Sequence, residues 1–391
     1  MKLLMVHSDR DEMYGAVHSM LEMLTKLQEK YQVEPTLLVS KEGNVTKYCD
    51  KMGWKYCITG HGNFMMGAGT KKKEMIRNAL LPVFYLKYKI KNFLALRKIE
   101  RELNIKEFDI IHTNVNVCDI GAILSKKYKI PHVWHLREFG DLDYNRIVFR
   151  RKYIDFMNKN CNYFIAISDA VKNHWIKKGL DRNKVIRIYN GVEKIEYKKE
   201  EKNEGKIKCC FCGSISKSKG QHILLQALSK LNKEYLDKIS IDILGDGPKE
   251  YVNSLKEYVK KNNLNKVVSF CGYKSNVREL LSKYDIGFMC SYSEGFGRVT
   301  VEYMMAGLCT IASNTGANSE LIKNKETGVL FDYSNIEDLK SKIAWCINNY
   351  KEVKNIGKNS KQISLKNFTS EINSKNVFEL YQKILGEKNE R

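Results

Sequence analysis

The sequence predicts an α/β protein made of two successive parallel-sheet units. Three observations carry this. Short apolar runs alternate with longer amphipathic stretches, the rhythm of parallel strands joined by covering helices. The rhythm restarts midway along the chain. Between the two series lies Asn190-Gly191-Val192, a turn signal, followed by the charged, aperiodic run Glu193–Lys208, which reads as a linker. A length of 391 residues suits two domains at about 150 residues each. The boundaries expected are 1–190 and 191–369, with a last helix at about 370–391 as a candidate to pack back on the first domain.

In the first series, strands are expected at Leu3–His7, Thr36–Val39, Ile110–His112, His132–His135 and Tyr163–Ile167, with helices at Val17–Lys30 and Ile120–Lys129. In the second, strands fall at Lys208–Cys212, Ile239–Leu244, Val267–Phe270, Ile286–Met289 and Cys309–Ala312. Helices there cover His222–Leu231, Glu250–Asn262, Val277–Lys283, Val299–Ala306 and Ile336–Asn349, and a last one covers Glu371–Leu385.

Composition removes several classes. Hydrophobic residues make up 43% of the chain, enough for real cores, so global disorder is excluded. No apolar run approaches the length of a spanning helix. The apolar run at Leu3–Val6 is too short for a signal-peptide core and reads as a buried first strand. Eleven cysteines, an odd count in a long chain, fit reduced thiols in a cytosolic protein better than disulfides. Cys209 and Cys212 have CxxC spacing but sit in a strand-like run, so they read as small buried hydrophobes.

The 67 basic and 45 acidic residues leave a formal charge of +22, which favours an anionic partner or simply a lysine-rich surface. Within residues 71–101, Lys71, Lys72, Lys73, Arg77, Lys87 and further basic residues interleave with Leu80, Val83, Tyr85, Leu86, Phe93 and Leu94. That pattern fits an amphipathic segment on an anionic membrane, or a core-packing helix with a basic outer face. Nucleic acid is disfavoured, because no zinc-finger or RNP-type pattern accompanies the charge.

The most informative stretch is Ser291-Tyr292-Ser293-Glu294-Gly295-Phe296-Gly297-Arg298-Val299-Thr300-Val301-Glu302. It leads from a strand into a helix through a glycine-rich turn. Such a turn aims backbone N–H groups and the positive helix end at one point, and that point binds phosphate. Glu302, over a turn into the helix, has the chemistry to accept hydrogen bonds from two neighbouring hydroxyls, as a ribose offers. Glu294 on the loop is placed for a second hydroxyl group.

Glu294 and Glu302, seven residues apart, resemble the E-x7-E signature of retaining glycosyltransferase family 4, which has the GT-B fold. Other segments resemble the family in its order: Ile167-Ser168-Asp169, Tyr189-Asn190-Gly191-Val192, Gly213–Gly220, Leu244–Pro248, Ala306–Ala312 and Thr327–Phe331. The resemblance spans nearly the whole chain and is most specific over residues 208–332. It implies two Rossmann-like α/β domains facing each other across a cleft. It also implies transfer of a sugar from a nucleotide-diphosphate sugar, UDP- or GDP-linked, with no cofactor required and no metal.

The resemblance further implies roles. Gly213, Ser214 and Lys219 would meet the donor diphosphate. Gly272 and Tyr273 would border the base. Backbone at Gly295, Phe296, Gly297 and Arg298 would hold phosphate or sugar oxygens, Glu302 the ribose, and Glu294 the donor sugar. Many members carry arginine where Ser214 stands, and Arg298 is a candidate to replace that charge. His132–Phe139 resembles a segment at the mouth of the cleft, with His135 facing the donor sugar. Arg137 and Glu138 lie on the acceptor side or form a structural ion pair. Met13-Tyr14-Gly15-Ala16 resembles the turn that brings Gly15 towards the acceptor.

His132 and His135 lack further convincing metal ligands and read better as core or cleft histidines. The D-x-D strings Asp9/Asp11 and Asp141/Asp143 lack the context of a metal-dependent fold. His135–Glu138 resembles members that assemble bacterial capsule or other surface polysaccharides. A lipid-linked glycan acceptor and a peripheral position at the cytoplasmic face of the membrane follow from that resemblance. Two other readings stand beside it, a GT-B nucleotide-sugar epimerase and a catalytically silent membrane-associated partner subunit.

Overall fold

The computed structural model describes residues 1–8, 15–67, 75, 77–140, 146–150, 152–194 and 205–389. The chain divides into two compact units, Met1–Gly191 with Ser370–Arg391, and Val192–Thr369.

The first unit contains β1 (Lys2–Val6), β2 (Glu34–Val39), β3 (Lys55–Ile58), β4 (Met65–Gly67), β5 (Ile110–Thr113), β6 (His132–Leu136), β7 (Arg146–Val148), β8 (Tyr163–Ala166) and β9 (Val185–Arg187). Seven of them form a parallel sheet in the order β3-β2-β1-β5-β6-β8-β9, and β4 pairs antiparallel with β7. The strands of the parallel sheet read as near-continuous apolar runs because helices cover both faces. One face packs Leu3, Met5, Ile110, Val133 and Ile165 against Met20, Leu24 and Leu27 of the helix Gly15–Tyr31. The last helix, Ser370–Asn389, returns to this same face. Its Val377, Leu380, Tyr381 and Ile384 join the first unit's core, and Phe378 stacks on Tyr31 with ring centroids 4.3 Å apart.

The second unit contains β10 (Ile207–Cys212), β11 (Ile239–Leu244), β12 (Val268–Gly272), β13 (Ile286–Met289), β14 (Cys309–Ser313) and β15 (Val329–Phe331). All are parallel, in the order β12-β11-β10-β13-β14-β15. This is the doubly wound dinucleotide-fold order, and it bears out the α/β expectation. Cys209, Cys210 and Cys212 are buried in β10, and all eleven cysteines are free thiols.

Differences from expectation fall mostly at edges. The short outer strands β3, β9 and β15, the β4–β7 pair and the helix Tyr350–Asn367 carried no clear periodic signal. The run read as linker ends early, because Ile207 and Lys208 already pair with Ile239 and Ser240 in β10–β11. Residues 195–204 of it lie outside the described residues. The stretch Val277–Lys283 splits into the α-turn Val277–Leu280 and the 3₁₀ turn Leu281–Lys283.

Candidate active site

In the second unit the strand order reverses between β10 and β13. Loops leaving the carboxyl ends of strands at such a reversal form the usual ligand crevice of a doubly wound sheet. β10 ends at Cys212 and runs into Gly213–Gly220, and β13 ends at Met289 and runs into Ser291–Gly297. Backbone hydrogen bonds stitch these loops to their neighbours. Tyr292 N donates to Ser218 O at 2.9 Å, Ile215 N to Asp246 O at 2.8 Å, and Ala317 N to Glu294 O at 2.8 Å. Gly220 makes the approach possible. Its φ is +79°, and a Cβ there would lie 2.0 Å from the Cys290 carbonyl oxygen.

The stitching brings charged groups together. Lys219 Nζ meets Glu294 Oε2 at 2.8 Å, on side chains 33% and 14% exposed. Gly297, in a left-handed conformation, starts the helix Arg298–Ala306. Within that helix Arg298 Nε donates to Glu302 Oε1 at 3.1 Å, and Arg278 Nε lies 3.8 Å from the same oxygen. Glu302 is only 7% exposed, so its carboxylate is held by two guanidinium groups in a largely dry setting. The direction of Arg298, open at the level of sequence, is therefore toward Glu302. Arg278 carried no motif that would have singled it out. It is fixed in turn by donating from Nη2 to the backbone oxygen of Glu193.

The remaining donor-side residues have plain positions. Ser214 is exposed, and its carbonyl accepts from Gln221 Nε2 at 3.0 Å. Gly213 and Gly272 both have positive φ where β10 and β12 give way to loops. Tyr273 is 72% exposed, with its backbone N–H on Asp246 Oδ2 at 3.2 Å. Gly295 is half-buried on the loop, and the Phe296 ring is buried near Phe368, so Phe296 offers a ligand its backbone rather than its side chain.

In the first unit, His135 is wholly buried at the end of β6, and its Nδ1 lies 3.1 Å from His112 Nε2. Positions three apart on a strand face opposite sides, so His132 and His135 do not converge. His132 instead reaches Thr113 Oγ1 at 2.8 Å and Asn160 O at 3.0 Å. Burial, then the Arg137 charge, hold the His135 and His112 imidazoles well below their usual basicity, and burial brings His132 down to about 4. Arg137 donates from Nε to Asn114 Oδ1 at 2.7 Å and from Nη1 to Asn190 Oδ1 at 2.6 Å. Glu138 accepts from Trp175 Nε1 through its backbone oxygen. Gly15 opens the first helix, while Met13 and Tyr14 lie outside the described residues.

A different surface of the first unit carries the helix Leu81–Glu102. Of its 22 residues, Tyr88, Asn92, Ala95 and Ile99 are buried. Tyr88 OH and Asn92 Nδ2 donate to the two oxygens of the buried Asp119, which Arg150 also binds. Val83, Leu86, Ile90, Phe93 and Leu94 repeat at helical spacing and point to solvent, with Leu86 60% exposed. Lys71, Lys72 and Lys73 lie outside the described residues. Among the described residues no helix is long and apolar enough to cross a membrane, and no group of three His, Cys, Asp or Glu side chains could hold a metal. Asp9, Asp11, Asp141 and Asp143 fall outside those residues.

Comparison with known proteins gives this geometry a family. Residues 192–363 match the family described as glycosyl transferases group 1, and residues 44–194 match glycosyltransferase family 4. An uncharacterized glycosyltransferase of Methanocaldococcus jannaschii, MJ1178, is 31% identical over 263 residues, covering 66% of this chain and 71% of its own. The O-antigen biosynthesis glycosyltransferase WclY of Escherichia coli is 28% identical over 240 residues, 56% of this chain and 64% of its own. Among solved structures, Anabaena Alr3699/HepE in complex with UDP superposes with a TM-score of 0.75 at 18% identity, covering 98% of this chain and 100% of the other. Two family descriptions laid end to end, one on each unit, and a full-length structural likeness leave one assignment: the chain is a glycosyltransferase of family 4 with the GT-B fold.

Proposed function

We propose that this glycosyltransferase moves a sugar from a nucleotide-diphosphate sugar, with retention at the anomeric carbon, to a lipid-linked or glycan acceptor in bacterial surface-polysaccharide synthesis. The observation that carries the reading is the charge arrangement at the β10–β13 reversal. Lys219 is paired with Glu294, and Glu302 is held by Arg298 and Arg278, all beside a helix start.

The arrangement suits the chemistry as follows. Breaking the anomeric C–O bond leaves an oxocarbenium-like sugar and a diphosphate that gains negative charge. An incoming diphosphate competes for Lys219, a mobile point charge already at the site. Lys219 then leaves Glu294, and the freed carboxylate accepts hydrogen bonds from the donor sugar's hydroxyls. Glu302, fixed by its guanidinium partners, accepts from the ribose. Arg278 supplies positive charge that the exposed Ser214 does not. The acceptor hydroxyl bonds to the anomeric carbon on the face the phosphate leaves, and its proton passes to the departing phosphate oxygen. No protein base is assigned.

UDP is the favoured nucleotide, since HepE is described in complexes with UDP and with UDP-glucose. The O-antigen role of WclY supports a surface-polysaccharide setting. The exposed apolar face of the helix Leu81–Glu102, flanked by Lys87, Lys89, Lys91 and Arg97, supports attachment to an anionic membrane at its cytoplasmic side.

The test is thermal stabilisation by UDP, GDP and ADP, followed by NMR of the product's anomeric configuration. One nucleotide at about 100 times its dissociation constant should stabilise the fold by roughly 2.7 kcal/mol. An inverted product would overturn the retaining mechanism. Donor consumed to a rearranged sugar with no acceptor present would favour epimerisation.

A further inference from the structure

Asn318 stands just beyond the end of β14 and is fully buried. Thr300 Oγ1, in the first turn of the helix Arg298–Ala306, donates to Asn318 Oδ1 at 3.0 Å. Asn318 Nδ2 donates to Ser313 Oγ at a longer 3.4 Å, and Ser313 Oγ donates to the Ser291 carbonyl oxygen at 2.8 Å. Thr315 Oγ1 donates to that same carbonyl, also at 2.8 Å. Thr300, Ser313 and Ser291 are buried as completely as Asn318. Ser291 opens the loop after β13, and Thr300 stands just past its close. The chain Thr300–Asn318–Ser313–Ser291 therefore ties the two ends of that loop together.

The middle of the loop rests on the same segment. Ala317 N donates to the Glu294 carbonyl oxygen at 2.8 Å, and a Cβ at Gly316, whose φ is +55°, would lie 2.3 Å from that oxygen. A Cβ at Gly297 would lie 3.3 Å from Asn318 Oδ1, so the amide sits where the loop turns into helix. A loop with two glycines has a wide choice of backbone shapes when left to itself. Ordering it only when a ligand arrives costs affinity, and ordering it beforehand does not. Buried hydrogen bonds supply that order, because breaking one strands a polar group in a dry setting. All four side chains are neutral, so the brace adds no charge beside a diphosphate.

We propose that Asn318 is a positioning residue for donor binding. Through Thr300 and Ser313 it fixes the separation of the loop's ends, so that the backbone of Gly295–Arg298 keeps the shape in which it meets a phosphate or sugar oxygen. Asn318 itself touches no ligand. The proposal rests on the reading of this loop as the donor site. It brings into the machinery a segment, 313–318, that no motif marked.

The test uses the full-length protein and two readouts. Hydrogen exchange of the ligand-free protein, followed by mass spectrometry, reads the loop itself. Asn318→Ala and Thr300→Val should each speed exchange over residues 292–301 by about three- to tenfold, the range for one lost hydrogen bond, and leave β11 unchanged. Wild-type exchange of the loop in both variants overturns the brace whatever the binding shows. Thr300→Val keeps nearly the same volume, so it decides the matter even if Asn318→Ala does not fold. Titration calorimetry with whichever of UDP, GDP and ADP binds the wild type reads the consequence. Each variant should bind about three- to tenfold more weakly, and Thr300→Ser, which keeps the hydroxyl, should stay within about twofold of wild type. The double variant should lose no more than Asn318→Ala alone, since both changes break one chain; additive losses would overturn it. Ile343, in the core of the same unit and on the separate helix Ile336–Asn348, supplies the control. Ile343→Val or Ile343→Ala, whichever matches the Tm of Asn318→Ala, should bind like the wild type, and equal weakening there would show Asn318 to be merely structural. Faster loop exchange with unchanged affinity would keep the brace and overturn its role in binding. A wild type that binds none of the three nucleotides overturns the donor-site reading and the positioning role with it, whereas the exchange data still report on the brace alone.

Discussion

Replacing Glu302 by alanine separates a binding carboxylate from a structural counter-ion. In the wild type the carboxylate is 7% exposed, accepts from Arg298 Nε at 3.1 Å and sits 3.8 Å from Arg278 Nε. Its loss removes the carboxylate that two guanidinium groups share, on side chains 15% and 25% exposed. Their partial exposure lets water repay part of the loss, so a cost of about 1–3 kcal/mol in the free protein is expected. If Glu302 also holds the ribose, nucleotide binding loses hydrogen bonds to a charged acceptor worth roughly 1.5–3 kcal/mol, a 10- to 150-fold weaker affinity. Titration calorimetry with UDP gives the affinity, and urea unfolding without ligand gives the stability. Glu302→Gln keeps the shape and an oxygen for Arg298, so it should restore much of the stability and only part of the affinity. An alanine variant that loses stability yet binds UDP within about threefold of wild type, under 0.7 kcal/mol, would refute the ribose role.

Gly220→Ala places a Cβ 2.0 Å from the Cys290 carbonyl at a φ of +79°, so it should cost at least about 2 kcal/mol, seen as a lowered Tm, and weaken UDP binding through Lys219. An unchanged Tm would mean that the two loops are not tightly apposed. Stability should also fall in acid. His61 and His132 are depressed to about 4 from 6.5 by burial, so the unfolded chain takes up protons that the folded one refuses. Their contribution is full above pH 6.5 and is lost as pH falls towards 4, by about 3 kcal/mol each, and urea midpoints across that window test it. Replacing Leu86, Ile90, Phe93 and Leu94 together by serine should weaken partition onto anionic vesicles roughly a hundredfold or more, from the apolar area withdrawn. Unaltered sedimentation with an intact helix by circular dichroism would argue against membrane attachment through that face.

The central strands were legible because burial on both faces writes them as unbroken apolar runs. Ile239–Leu244 and Ile286–Met289 were read to the residue. Edge strands such as Lys55–Ile58 and Val185–Arg187 bury fewer positions, and their few residues carry polar side chains that erase the signal. The helix Tyr350–Asn367 buries a narrow stripe of Val353, Ile356, Gly357, Ser360 and Ser364, three of the five small or polar, so no apolar period marks it.

The site divides along a similar line. Which residues would stand at the β10–β13 reversal was legible, because loops that bring backbone close to a ligand need glycines at set distances from charged side chains. What those side chains touch was not. Lys219 and Glu294 are 75 positions apart and meet only because Gly220 lets one loop rest against the carbonyl that follows β13. Arg278 lies in a short turn with no repeat to mark it, yet its charge reaches the same oxygen as Arg298. The same holds for Tyr381, 269 residues from His112, which no spacing rule could join to it. Local sequence constrains backbone shape, whereas the partner of a buried charge or imidazole is chosen by the tertiary packing around it. The partners of these buried groups are therefore the least readable part, and substitution of Arg278 tests the chemistry more sharply than substitutions in the motif itself.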